Sequence, residues 1–153
     1  MENELHYIAH QFAALQHGDC WIGVNFKTAL AHLTPAQAAL KKGSANSIWQ
    51  LVHHLTYWRT VVVNRLNGSL DLPPFADLLP PAEVTDAHWK QSLLDFEAAY
   101  HQLRHTILHF NIEHLHHPSP RAGQTFYELL MGCLQHDAYH LGQVVILRKQ
   151  IES

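Results

Sequence analysis

MGCLQHDAYHLGQVVILR, from Met131 to Arg148, carries the apolar period of an α-helix and not of a strand. With its flanks it lays Phe126, Leu129, Leu130, Cys133, Leu141, Val144, Leu147 and Ile151 along one stripe. His136 and His140 stand four residues apart, a spacing that stacks two imidazoles on one helix face. His140 falls inside the stripe, His136 on its margin, and Asp137 inside it. Polar groups turned toward a core are costly unless something pairs with them, so this helix is where chemistry is to be sought first.

Working outward, the upstream chain repeats the same period. Leu5, Ile8, Phe12 and Leu15 predict a helix from Glu2 to His17, ending near Gly18. A helical piece around Val24 to His32 follows, then a short one that Thr34 caps, Pro35 begins and Gly43 closes. Ser44 or Asn46 is expected to cap a helix from about Ser47 to Leu66, with Ile48, Leu51, Val52, Leu55, Trp58, Val62 and Leu66 inward. LDLPPFADLLPPAE, with two proline pairs, can be neither regular helix nor central strand and reads as a crossover. Thr85 then opens a helix to about Phe110 with Trp89, Leu93, Phe96, Tyr100, Leu103 and Ile107 as its stripe. After the loop EHLHHPSPRA the last helix runs from about Thr125 to Gln150. The expectation is a single all-α domain over residues 1–153: a four-helix bundle of up-down-down-up type with a long crossover and short extra helices.

Composition excludes several function classes. Lys+Arg number 10 against Asp+Glu 13, for a net charge of −3, so no basic stripe grips nucleic acid. No apolar run reaches the length of a membrane span. The N-terminal MENELHYIAHQF reads as helix and not as a signal peptide, and Cys20 and Cys133 form no CxxC pattern, so a cytoplasmic protein is expected.

Histidine is the anomaly, at 15 residues. Shuffling that composition gives roughly one or two HxxxH pairs; the chain has four, His6/His10, His101/His105, His105/His109 and His136/His140. Context separates them. His6, His10 and His17 have no accompanying carboxylate or cysteine, and His101, His105 and His109 sit among polar neighbours, so both sets read as wet surface or subunit contact. His114, His116 and His117 lie in a loop. On the second long helix, projection puts His54 beside Leu51, Trp58 and Val61 and turns His53 to the opposite side with Trp49 and Tyr57, which makes His54 the better ligand.

One imidazole from the second long helix and two from the last can meet in a bundle core and hold a divalent ion with an open position for water or a thiol. Imidazole ligation suits zinc or nickel and also admits iron. HDAYH differs from the HExxH of zinc proteases in having Asp137, whose shorter side chain reaches a metal-bound water poorly. Asp137 is expected to accept from an imidazole N–H or to pair with Arg59 or Arg148. Cys133 reads as a small buried hydrophobe.

Two segments, SIWQLVHHLTYWR (Ser47 to Arg59) and HDAYHLGQVVILRK (His136 to Lys149), resemble the DinB/YfiT-like superfamily of metal-binding four-helix-bundle proteins. The pattern HxxYHxGQ with trailing aliphatic and basic residues is the more specific of the two, and the likeness covers essentially the whole chain. The resemblance implies a three-histidine metal site at His54, His136 and His140, with zinc or nickel as the leading ions and iron or manganese as alternatives. Such relatives include metal-dependent transferases that act with low-molecular-weight thiols such as bacillithiol or mycothiol, proteins labelled hydrolases, and homodimers. It therefore implies a small-molecule or thiol partner, without fixing a catalytic residue. The competing reading is a non-catalytic metal- or small-ligand-binding, stress-related protein of the same fold.

Overall fold

The computed structural model describes residues 3–153. Six α-helices, α1 (Glu4–His17), α2 (Phe26–Leu30), α3 (Pro35–Ala39), α4 (Ile48–Leu66), α5 (Asp86–Leu108) and α6 (Phe126–Glu152), are joined by loops and a 3₁₀ turn at Ile112–His114. No strand occurs among the described residues; Pro118 and Thr125 form one isolated bridge. The fold is all-helical, as the periodicity predicts. The expected start of the first helix at Glu2 lies outside the described residues.

Local chemistry sets the helix ends. Ser47, Thr34 and Thr125 each accept from the backbone N–H three residues on, while Gln50, Gln37 and Glu128 reach back to the cap, closing three capping boxes. The cap of α4 is thus Ser47 and not Ser44 or Asn46, because only Ser47 has a glutamine at the reciprocal position. The short helix expected to run to Gly43 ends at Ala39. Arg148 donates to the carbonyls of Thr28 and Ala29, meeting the open C-terminal end of α2.

The long helices α1, α4, α5 and α6 meet in a ring: α4 against α5 and α6, and α1 against α5 and α6. Their interior divides into two apolar clusters. One gathers Phe26, Trp49, Leu55, Trp89, Leu141 and Leu147; the other gathers Phe12, Val62, Tyr100, Leu103, Leu130 and Cys133. Between them, on α4 and α6, lies a polar layer. Arg59 and Asp137 are fully buried there, with Arg59 Nε and Nη2 at 3.0 and 2.9 Å from Asp137 Oδ2. The guanidinium lies over the rings of Phe96 and Phe26, its Cζ 4.3 and 5.4 Å from their centroids.

Helix α4 is buried on more sides than its stripe foretold. Trp49 and Tyr57, placed on the outer side by projection, are buried, while Trp58, placed inward, is half-exposed. Two elements cover that side: α5 meets Trp49 through Trp89 and Ser92, and the crossover runs back along α4. Gln50 donates to Leu78 O, His53 Nδ1 lies 2.6 Å from Leu79 O, Asn64 donates to Asp71 O, and Phe75 meets the Tyr57 ring edge-on.

Asp137→Asn is expected to destabilise the protein by about 3–5 kcal/mol, because it leaves the Arg59 charge buried and uncompensated. Urea denaturation at neutral pH measures this. A loss below about 1 kcal/mol would show that the pair does not hold the layer together.

Candidate metal centre

Within that layer α4 and α6 bring together the three histidines that the sequence singled out. His54 Nε2 lies 2.9 Å from His136 Nε2, and His140 Nε2 lies 3.1 Å from the same atom. The ligand atoms of all three fall within 4.8 Å of one another. His136 and His140 converge because they are one helical turn apart, and the Arg59–Asp137 pair fixes the register that delivers His54 to them.

The nitrogen facing away from the cluster sets each ring's state. His54 Nδ1 lies 2.6 Å from Asp77 Oδ1, and an ionised carboxylate only accepts, so Nδ1 carries the hydrogen and Nε2 the lone pair. His140 Nδ1 lies 2.6 Å from Gln143 Oε1, an amide whose nitrogen donates to the Tyr139 hydroxyl at 3.2 Å, which gives the same tautomer. Asp137 Oδ1, buried and without a hydrogen-bond partner, lies 3.8 Å from His136 Nδ1 and favours a proton there. Lone pairs then face one another across the cluster, and a single N–H on His136 could serve only one neighbour. A cation resolves all three. Two nitrogens each about 2.0–2.1 Å from one ion lie no more than about 4 Å apart. The His54–His136 and His136–His140 contacts meet that limit, and the third pair, within 4.8 Å, needs at most a small ring adjustment to do so. The donor set therefore fits a divalent metal.

His53, the adjacent imidazole, is committed elsewhere: Nδ1 to Leu79 O, and Nε2 to the Ser92 hydroxyl at 2.8 Å and Trp49 Nε1 at 3.2 Å. Asp137 takes Arg59 as its partner, while Arg148 pairs with Glu152. Cys133 borders the site, but burial pushes its thiol well above its ordinary range, with Asp137 adding to the rise, so it stays a protonated hydrophobe. The other histidines form no three-donor group among the described residues.

The cluster opens into a cleft of about 420 Å³ whose wall includes Trp58, Arg65, Arg121, Gln124, Gly132 and Tyr139. A larger cavity of about 680 Å³, bordered by Phe26, Leu30, Trp89 and Phe96, lies elsewhere and gathers no ligand set, so the smaller cleft is the functional candidate. Sequence reasoning missed Asp77, which holds His54 and also accepts from Trp58 Nε1 at 3.1 Å. It stands in the proline-rich crossover 23 residues from His54 with no local signal. Sequence reasoning gave Gln143 no role either, although there the signal was present: Gln143 lies three residues after His140 on the same helix and accepts from its ring.

Burial, then the neighbouring His136 and His54, pulls His140 below its ordinary 6.5, against the raising influence of Gln143 and Asp137. The ring is neutral, its ligating form, at neutral pH. Below pH 6.5 the unfolded chain takes up this proton before the folded one does, so the stability is present above that pH and lost as pH falls through it. Metal-free protein should unfold at progressively lower urea between pH 7 and 5, and His140→Gln should flatten that slope; equal slopes would refute the assignment. Separately, Asp77→Ala is expected to weaken metal affinity about 10–100-fold by freeing the His54 ring. Competition against a chromophoric chelator reads this, and unchanged affinity would remove Asp77 from the site.

No curated protein and no solved structure matches the chain. The family profile described as the DinB superfamily matches residues 24–144, a span that holds all three histidines, Asp77 and the Arg59–Asp137 pair.

Proposed function

Since this chain belongs to the DinB superfamily, we propose that it is a divalent-metal protein whose His54, His136 and His140 hold the ion and whose cleft presents a small-molecule thiol or water to it, as a metal-dependent thiol transferase or a hydrolase. The observation that carries this reading is the convergence of three imidazoles, two of which, His54 and His140, are held from behind by Asp77 and Gln143. Zinc or nickel is the leading ion, with iron and manganese as alternatives, since neutral imidazoles suit all of them better than calcium. A divalent ion in this setting supplies a Lewis-acid position that lowers the pKa of a thiol or water bound to it.

The chain's own residues do the rest. Asp77 and Gln143 hold the tautomers of His54 and His140, so no ring has to turn before ligation. Trp58, half-buried beside His54 and His136, narrows solvent access. No carboxylate lines the cleft among the described residues, and Asp137 is held by Arg59, which leaves no general base of the protease type. That favours thiol transfer over hydrolysis, because a thiol needs less help to ionise than water does.

The same reading takes the long helices as an up-down-down-up bundle within one domain. In support, Trp49 meets Trp89 and Ser92 while Thr60 and Asn64 border Ala99 and Gln102, a same-direction register between α4 and α5. A homodimer belongs to the proposal too: Tyr139 and Ile146 are exposed seven residues apart on α6. No described helix is long and apolar enough to cross a membrane. Cytoplasmic placement rests on the two free cysteines.

Elemental analysis of untagged protein tests the site. Wild type and His53→Ala should each carry about one ion per chain and His140→Ala none. On cobalt-substituted protein, an added low-molecular-weight thiol should change the visible spectrum. Equal metal in all three proteins would sink the site, and a full metal complement with no response to any thiol would overturn the transferase form, leaving a hydrolase or a non-catalytic metal-binding protein.

A further inference from the structure

The cleft above the histidines has a second chemical character. Arg65, near the C-terminal end of α4, and Arg121, in the loop before α6, both line it, and neither makes a salt bridge or a side-chain hydrogen bond among the described residues. No Asp or Glu is in the cleft wall. Asp77, the nearest acid to the histidines, is taken by His54, Trp58 and the Leu78 amide. In a chain of net charge −3, two guanidiniums without acidic partners, Arg65 half-buried and Arg121 exposed, thus border one cleft.

Arg65 is not a freely solvated side chain. It is half-buried, with its Cζ 5.9 Å from the Trp58 ring centroid, and Trp58 in turn neighbours His54 and His136 with centroids 6.3 and 6.2 Å away. Burial first and the Arg121 guanidinium second pull Arg65 below its ordinary value. Both guanidiniums border the same cleft, so an anion seated between them would offset the charge of each. Gln124, in the same wall, holds a buried Oε1 without a partner, an acceptor waiting for a ligand N–H or O–H.

We infer that Arg65 and Arg121 form an anion clamp in the metal cleft, and that the small molecule this protein takes carries a carboxylate or phosphate that seats on the clamp while its reactive end reaches the histidines. The clamp orients the ligand along Trp58, with Gln124 accepting from a hydrogen-bearing group nearby. The placement of the reactive end rests on the metal reading above. The anion seat does not, because neither arginine is a metal ligand. Apolar walls with a few placed polar groups, in a cleft of about 420 Å³, suit a ligand of metabolite size.

The experiment is a titration of untagged, metal-free protein with succinate and, separately, with inorganic phosphate, read by two-dimensional NMR at the Trp58 indole and the Arg65 and Arg121 Nε–H resonances. At least one anion should give saturable shifts at all three, and whichever binds more tightly identifies the headgroup as carboxylate or phosphate. Arg65→Gln and Arg121→Gln should each weaken that binding about tenfold, with the circular dichroism and metal content of the wild type retained. Arg104→Gln, at an exposed arginine of α5 outside the cleft, should leave the anion titration unchanged. No saturable shift with either anion, or equal affinity in the arginine variants, overturns the clamp. Intact anion binding in a protein that takes up no metal supports the clamp and overturns the metal reading alone.

Discussion

The interior of this protein turns on the buried pair of Arg59 and Asp137, which sits where two apolar clusters leave off along α4 and α6. Two charges with no solvent contact lose hydration that their attraction repays only in good geometry. Here Nε donates to Oδ2 and Nη2 lies 2.9 Å from the same oxygen. Nη1 and Asp137 Oδ1 are buried without partners and the guanidinium lies over Phe96 and Phe26, so the repayment is incomplete. The pair admits little slippage. Moving α6 by one residue would turn Asp137 about 100° around its helix and strand both charges in the core. What the pair contributes is thus register more than net stability, and register is what the histidines need.

The consequence for the site is geometric. A helix can set two imidazoles one turn apart by itself, but the third donor comes from another helix, and its position is only as good as the helix–helix register. His54 lies five residues before Arg59 on α4, and His136 and His140 flank Asp137 on α6, so one contact locates all three. The crossover then supplies what the helices do not. By lying along α4 it brings Asp77 behind His54, the counterpart on one side of what Gln143 does for His140 on the other. Leu78 adopts a left-handed φ of 53° in this segment, while its own N–H is held by the Asp77 side chain and its carbonyl by Gln50. A leucine in that conformation costs roughly 1–2 kcal/mol, and the cost is borne beside the residue that orients a proposed ligand.

The stripes on α1, α5 and α6 were legible because each of those helices buries one face: Leu5, Ile8, Phe12 and Leu15, for example, are all buried. Helix α4 has no single buried face. Covered by α5, α6 and the crossover at once, it buries Trp49 and Tyr57 as well as Leu51 and Leu55, and a one-stripe projection misplaces whatever lies outside the stripe. His54 was still picked over His53, since the projection needed only to say which of the two faces α6. Asp77 was not legible at all. Nothing in LDLPPFADLLPPAE says which of its residues will lie against α4, because an irregular segment has no period from which a face can be read.

The surplus of histidines shows why convergence, and not spacing, makes a ligand set. His105 and His109 have the same fourfold spacing as His136 and His140, and their rings lie even closer, 4.1 Å between centroids. Yet His109 Nδ1 is taken by the His105 carbonyl, both rings are exposed, and no third donor comes from another element. His114 and His117 stack at 5.3 Å in a loop with the same deficit. Exposed imidazoles can satisfy themselves with water, so nothing forces their lone pairs together. At His54 and His140 the acceptors behind the rings, Asp77 and Gln143, hold the N–H on Nδ1 and leave Nε2 turned toward His136. Half-burial limits the water that would otherwise fill the gap. A spacing shared by four pairs in this chain becomes a candidate metal centre where packing brings a third imidazole from another helix to within 4.8 Å of the first two.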